Sequence, residues 1–152
     1  MLATQKRVLG DEHPDTLFTA GNLGETQFLR GNHAEAEDLL RATHTTQARI
    51  IGGDHDSTLY TAVNMGLALS ELGKHDEATM LLRTTHGKLV RVLGAEHAHT
   101  LRAAGALGHA LTSQAGGAEA EGQELLCTTH TKQLEVLGEA LCDTMQTAAW
   151  LA

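Results

Sequence analysis

The chain repeats itself every 42 residues, and a repeat of that length confines it to a stack of small equivalent units. Leu9-Gly10-Asp11-Glu12-His13-Pro14-Asp15-Thr16-Leu17 returns as Ile51-Gly52-Gly53-Asp54-His55-Asp56-Ser57-Thr58-Leu59, and again as Leu93-Gly94-Ala95-Glu96-His97-Ala98-His99-Thr100-Leu101. A fourth copy, Leu137-Gly138 to Asp143-Thr144-Met145, comes after 44 residues, which puts two extra residues in the third unit, at the Gly116-Gly117 turn. Asn22-Leu23-Gly24 keeps register with Asn64-Met65-Gly66 and Ala106-Leu107-Gly108. Leu39-Leu40-Arg41-Ala42-Thr43-His44 does so with Leu81 to His86 and Leu125 to His130.

Within each unit the apolar residues are spaced for two helices. The first is predicted over residues 15–30, 57–72 and 99–114, with a buried stripe of Leu59, Ala62, Met65, Leu69 and Leu72. The second is predicted over 33–51, 75–93 and 119–137, with Ala78, Leu81, Leu82, Thr85, Leu89, Val92 and Leu93 inward. Asp15, Ser57 and Asp143 can cap first helices, with His99 in that place in the third unit; alternatively His13 caps and Pro14 is the first helical residue. Gly31 and Gly73 end first helices; Gly10, Gly52, Gly94 and Gly138 end second ones. Gly24, Gly66 and Gly108 lie inside first helices, where glycine costs about 1 kcal/mol relative to alanine. Their recurrence at one register implies that a partner helix approaches closely there.

Composition excludes several function classes. Eleven Lys and Arg face 19 Asp and Glu, a net charge of −8, so phosphate backbones are repelled and nucleic acid is not an expected partner. The ten histidines would cancel that charge if protonated below about pH 6. Cys127 and Cys142 form no CxxC and no framework spacing, which favours a reduced compartment. The N-terminus lacks the apolar core of a signal peptide, and no apolar run approaches a membrane span. A cytoplasmic protein with no membrane partner is the expectation.

These residues resemble the tetratricopeptide repeat. Its W-x2-L-G-x2-Y…A-x3-F pattern falls on Ala62, Met65, Gly66, Leu69, Ala78 and Leu82, and in the first unit on Ala20, Leu23, Gly24, Gln27, Ala36 and Leu40. The 42-residue period, the G-x-x-H-P-x-T-L junction and the E-A-E-x-L-x-R second helix look like the kinesin light chain and nephrocystin-like subgroup. The resemblance implies an all-α, right-handed α-solenoid of helix–turn–helix repeats and a non-catalytic protein-binding role. It divides the chain into the end of a preceding second helix (1–10), repeats at 11–52, 53–94 and 95–138, and the start of a further first helix (139–152). Only the first unit has Pro after His; the third lacks the Asn, and there either Gly122 replaces the usual Ala or the register shifts. Leu2, Val8 and Leu9 at one end, and Met145, Trp150 and Leu151 at the other, are expected to lack full cover.

First helices of such arrays line a concave groove. The face opposite the buried stripe carries Phe18, Asn22, Glu25 and Leu29, then Tyr60, Asn64, Leu67 and Glu71, then Arg102, Ala106, His109 and Ser113. The resemblance places Asn22 and Asn64 where kinesin light chains carry a groove asparagine. A carboxamide both donates and accepts, so it can hold a peptide backbone of any sequence. Phe18 and Tyr60 are candidate anchors, and Glu25 and Glu71 against Arg102 favour a ligand basic towards the first two units.

A metal is not expected. His13, His55 and His97, like His44, His86 and His130, recur at helix spacings of roughly 8–10 Å, too far apart for zinc bonds of about 2.1 Å. Nor is a cofactor or a catalytic pair expected: Cys127 stands where Arg41 and Arg83 stand in other units, and no glycine loop is built for phosphate. The expected function is a peptide- or protein-binding adaptor or scaffold. The alternative is a structural or regulatory spacer, self-associating through uncapped ends.

Overall fold

Alternating short loops and amphipathic segments fold as pairs of antiparallel helices. The computed structural model describes residues 1–114, 116–136, 138 and 142–152, with the backbone alone for Cys142 and Asp143. The described residues form α1 (Leu2–Leu9), α2 (Pro14–Leu29), α3 (His33–Ile50), α4 (Asp56–Glu71), α5 (His75–Leu93), α6 (Ala98–Ser113), α7 (Glu119–Val136) and α8 (Cys142–Leu151), with no strand among them. Helix bounds fall within one residue of the expected ones for α2 to α7. The loop between α6 and α7 spans 114–118, against 30–32 and 72–74 in the earlier units, so both extra residues lie where Gly116-Gly117 placed them.

Of the two cap candidates in the first unit the histidine acts, with Pro14 as the first helical residue, and the later units follow it. His13, His55 and His97 are the N-caps, and each Nδ1 accepts the backbone N–H two residues on, at 3.2 Å. Asp15, Ser57 and His99 are therefore the residues being capped, not the caps; the cap expected of Asp143 lies outside the described side chains. An imidazole can cap because its neutral ring leaves one nitrogen free to accept. At the other end of α2, the Gly31 N–H donates to Phe28 O and the Asn32 N–H to Gln27 O, and Gly73 and Lys74 repeat this on Ser70 and Leu69. This double bond pattern needs a left-handed residue at the glycine (φ 81° and 75°), which glycine adopts without steric penalty.

The first helices pack on one another: α2 contacts α4, α4 contacts α6, and α6 contacts α8. The second helices α3, α5 and α7 pack their backbones against first helices, and side-chain ion pairs such as Arg41–Glu77 join them to one another. Such a stack curves, with the first helices at the inner radius and the second at the outer. The core runs along the seam, with Ala36, Leu40, Leu69, Ala78, Leu82, Leu89, Leu111 and Leu126 all fully buried. Two stripe residues are corrected: Leu72 is exposed because it lies past the end of α4, and Val92 because it turns outward while Leu93 beside it packs on the core. Val8, Leu9 and Met145 are exposed and Leu2, Trp150 and Leu151 half-buried, so all six lack full cover as expected.

The internal glycines seat leucines. A Cβ on Gly24 would lie 2.6 Å from Leu40 Cγ, one on Gly66 2.5 Å from Leu82 Cγ, and one on Gly108 2.8 Å from Leu126 Cγ. Gly122 settles the register of the third unit. It occupies the buried alanine place of Ala36 and Ala78, and a Cβ there would meet Gly108 O and Thr112 N at 2.8 Å. Even an alanine is too large, because the α6 and α7 backbones approach so closely.

Ion pairs on the outer face repeat in register: Arg41–Glu77 (2.7 Å) with Arg83–Glu121 (2.9 Å), and Arg49–Glu12 with Arg91–Asp54. The first two link successive units and the last two tie a unit's second helix to its own leading junction; each is exposed enough to contribute little alone. Burial disfavours the charge on Glu37, but hydrogen bonds from Arg41 and Lys74 hold its pKa below the usual carboxylate value. Burial also depresses the imidazole pKa values of His44 and His86, with Lys88 and Arg41 acting in the same sense on His44. The unfolded chain therefore binds these protons first. The imidazole contribution is present above pH 6.5 and lost as pH falls through the depressed values; that of Glu37 is present above 4.5 and lost below it. Urea midpoints by circular dichroism should fall from pH 7.5 to pH 4; a flat or rising profile would contradict these shifts.

Candidate peptide-binding groove

The inner face is open at its first unit and closed further along. Phe18 is 62% exposed and Leu29 63%, and Asn22 also reaches solvent. Asn64 is 1% exposed and Leu67, like Ala106, is fully buried, because α4 is enclosed by α2, α3, α5 and α6. Neither residue presents a free side chain at the surface, which corrects the expectation of one continuous row.

A polar network covers Asn64. Arg102, itself 8% exposed, donates through Nη2 to Glu25 Oε1 (2.9 Å) and to Asn64 Oδ1 (3.0 Å). The Tyr60 hydroxyl donates to the same Glu25 carboxylate at 2.9 and 3.0 Å, and the Arg102 guanidinium lies 5.5 Å from the Tyr60 ring centre. Burial raises the Tyr60 pKa, with the Glu25 charge and hydrogen bond adding to it against Arg102. Three first helices are thus tied together: α2 through Glu25, α4 through Tyr60 and Asn64, and α6 through Arg102. His109 is committed too: its Nε2 lies 3.0 Å from Glu71 Oε1 and its ring stacks on Trp150 at 4.7 Å. Of the eight candidate residues, then, Phe18 and Asn22 are free, Glu25, Tyr60, Asn64, Arg102 and His109 bind one another or their neighbours, and Leu67 is core.

Beside Phe18 and Asn22 opens a cavity of about 270 Å³ between α2, α3 and α4. Gln47, Asp56 and His99 line it as well, residues that hydrophobic periodicity hides: Gln47 stands in the buried stripe of α3, and Asp56 and His99 at junctions. Asp56 and His99 pair at 2.7 Å. No group of three or more metal-ligating side chains lies together among the described residues, and no described helix is long and apolar enough to cross a membrane.

An array of helix pairs with its first helices on an inner face is an α-solenoid, a right-handed one here, a class whose concave side receives other proteins. The tetratricopeptide repeat model matches residues 2–45 and 27–86, more than half of the chain, and the chain belongs to that family. Repeats of this family mediate protein–protein interactions and are generally non-catalytic. The chain is similar to the crystal structure of nearly identical TPR-like repeats of a kinesin light chain-like protein from Podosopora anserina. The two share 25% identity and a TM-score of 0.74, over 99% of this chain and 70% of the other. No curated protein sequence matches.

Proposed function

We propose that the chain is a non-catalytic adaptor or scaffold segment that holds an extended segment of a partner protein on the inner face of α2 and α4. The carrying observation is Phe18: a large apolar ring 62% exposed, one helical turn from the free carboxamide of Asn22, at the mouth of a 270 Å³ cavity. An exposed aromatic beside a concavity is the usual chemistry of an anchor. Asn22 supplies a backbone clamp, since it can bond both the N–H and the C=O of a peptide. The cavity lining holds no Lys or Arg and carries the Asp56 carboxylate, which favours a basic segment, whereas Glu25 is already paired with Arg102. Asn64 keeps a supporting role beneath Arg102.

Peptide-library selection against the intact chain tests this reading. Phe18→Ala with Asn22→Ala should weaken selected peptides by at least about tenfold, the worth of one lost hydrogen bond plus a lost anchor. Both side chains are exposed, so helicity should be unchanged. Undiminished binding by the double variant would move the site to the outer face or the ends of the array.

A further inference from the structure

We infer that the cavity between α2, α3 and α4 is a subsite for one cationic side chain, lysine or arginine, of the bound segment. This rests on the groove reading above and specifies what the groove selects. At about 270 Å³ the cavity lies just below the range of small-molecule sites, roughly 300–1,000 Å³, so it suits one side chain rather than a cofactor. Its polar floor is Gln47, 2% exposed, whose Oε1 has no hydrogen-bond partner among the described residues. A buried acceptor without a donor is unfavourable, and native interiors seldom leave one unexplained.

Packing does not require glutamine there. Leu89 holds the same register in the second unit and is fully buried. Gln133 holds it in the third, and the inference is confined to Gln47. What the cavity lacks is a donor. A lysine ammonium or arginine guanidinium brings several, and its methylenes can lie along the Phe18 and Tyr60 rings at the rim. Turning the Gln47 amide over would offer N–H groups to an anion instead, but an anion would then face the Asp56 carboxylate. Rim charge therefore selects the cation. Gly21 and Thr61 form small walls that leave room for the chain of methylenes.

The test titrates the intact, isotope-labelled chain with the N-acetyl methylamides of arginine, lysine, norleucine and glutamate, followed by NMR. The arginine and lysine probes should shift the backbone amides of Gly21, Ser57 and Thr61; norleucine and glutamate probes at equal concentration should not. Gln47→Leu should weaken the arginine probe by about tenfold or more without lowering the urea midpoint, because Leu89 already fills that place one unit along. Asp56→Asn should weaken it as well, which keeps the test intact if Gln47→Leu misfolds. Norleucine binding as well as arginine, a preference for glutamate, unchanged binding by both variants, or no shift from any probe would each overturn the subsite. If library peptides still require Phe18 and Asn22 in that event, the groove reading survives and the cationic subsite alone fails.

Discussion

Leu82→Ala lowers stability by about 2–5 kcal/mol, and adding Gly66→Ala to it recovers part of that loss. Leu82 is fully buried at the point where α5 meets α4, and its Cγ lies over Gly66, 2.5 Å from where a Cβ would be. Truncating the leucine forfeits its transfer energy and leaves a cavity that the rigid seam closes only partly. Gly66→Ala alone places a methyl group into a branch carbon that cannot move away, a cost of about 1–3 kcal/mol. The roughly 1 kcal/mol that alanine gains over glycine in a helix offsets only part of it. In the double variant the same methyl enters space the leucine has left, and the helix gain is realised. Urea unfolding of the four-variant cycle should give a favourable coupling of about 1 kcal/mol or more. A Leu82→Ala loss below about 1 kcal/mol, or strictly additive losses, would mean that leucine and glycine do not form this joint.

Arg102→Leu should cost about 3–4 kcal/mol, the lower part of the range for breaking a buried ion pair from one side. The guanidinium bonds two buried or half-buried acceptors at once, Glu25 and Asn64. Its removal leaves Asn64 Oδ1 buried without that donor and the Glu25 carboxylate, among the described residues, with the Tyr60 hydroxyl as its remaining donor. Glu25 retains some solvent, its side chain being 22% exposed, which softens the penalty. Glu25→Gln on the Arg102→Leu background should recover part of the loss, since the amide oxygen still accepts from Tyr60 while the orphaned charge disappears. Equal losses for the single and double variants would show that the charge of Glu25 contributes nothing. The network also bears on binding. Arg102 spans three first helices, so changing it should disturb the inner face broadly, whereas Phe18→Ala and Asn22→Ala should act only at the proposed ligand site.

The helix pairs, their register and their joints are legible in the repeat alone. A 42-residue period with Gly24, Gly66 and Gly108 at one place already implied close helix approach, and the two-residue insertion was readable from the spacing of the fourth copy. These features are local or periodic, so they survive in one dimension. Which of two cap candidates acts was not readable, because His13 and Asp15 are two residues apart and both side chains can accept a hydrogen bond. Tertiary structure alone decided which groove residues remain free. Phe18 and Tyr60 hold equivalent positions, as do Asn22 and Asn64. The later pair is enclosed because Arg102, one unit further on, reaches back over α4 to Glu25, and among the described residues no such side chain crosses α2 over Phe18 and Asn22. Periodicity places side chains on faces; whether a face stays open depends on what the next unit lays across it.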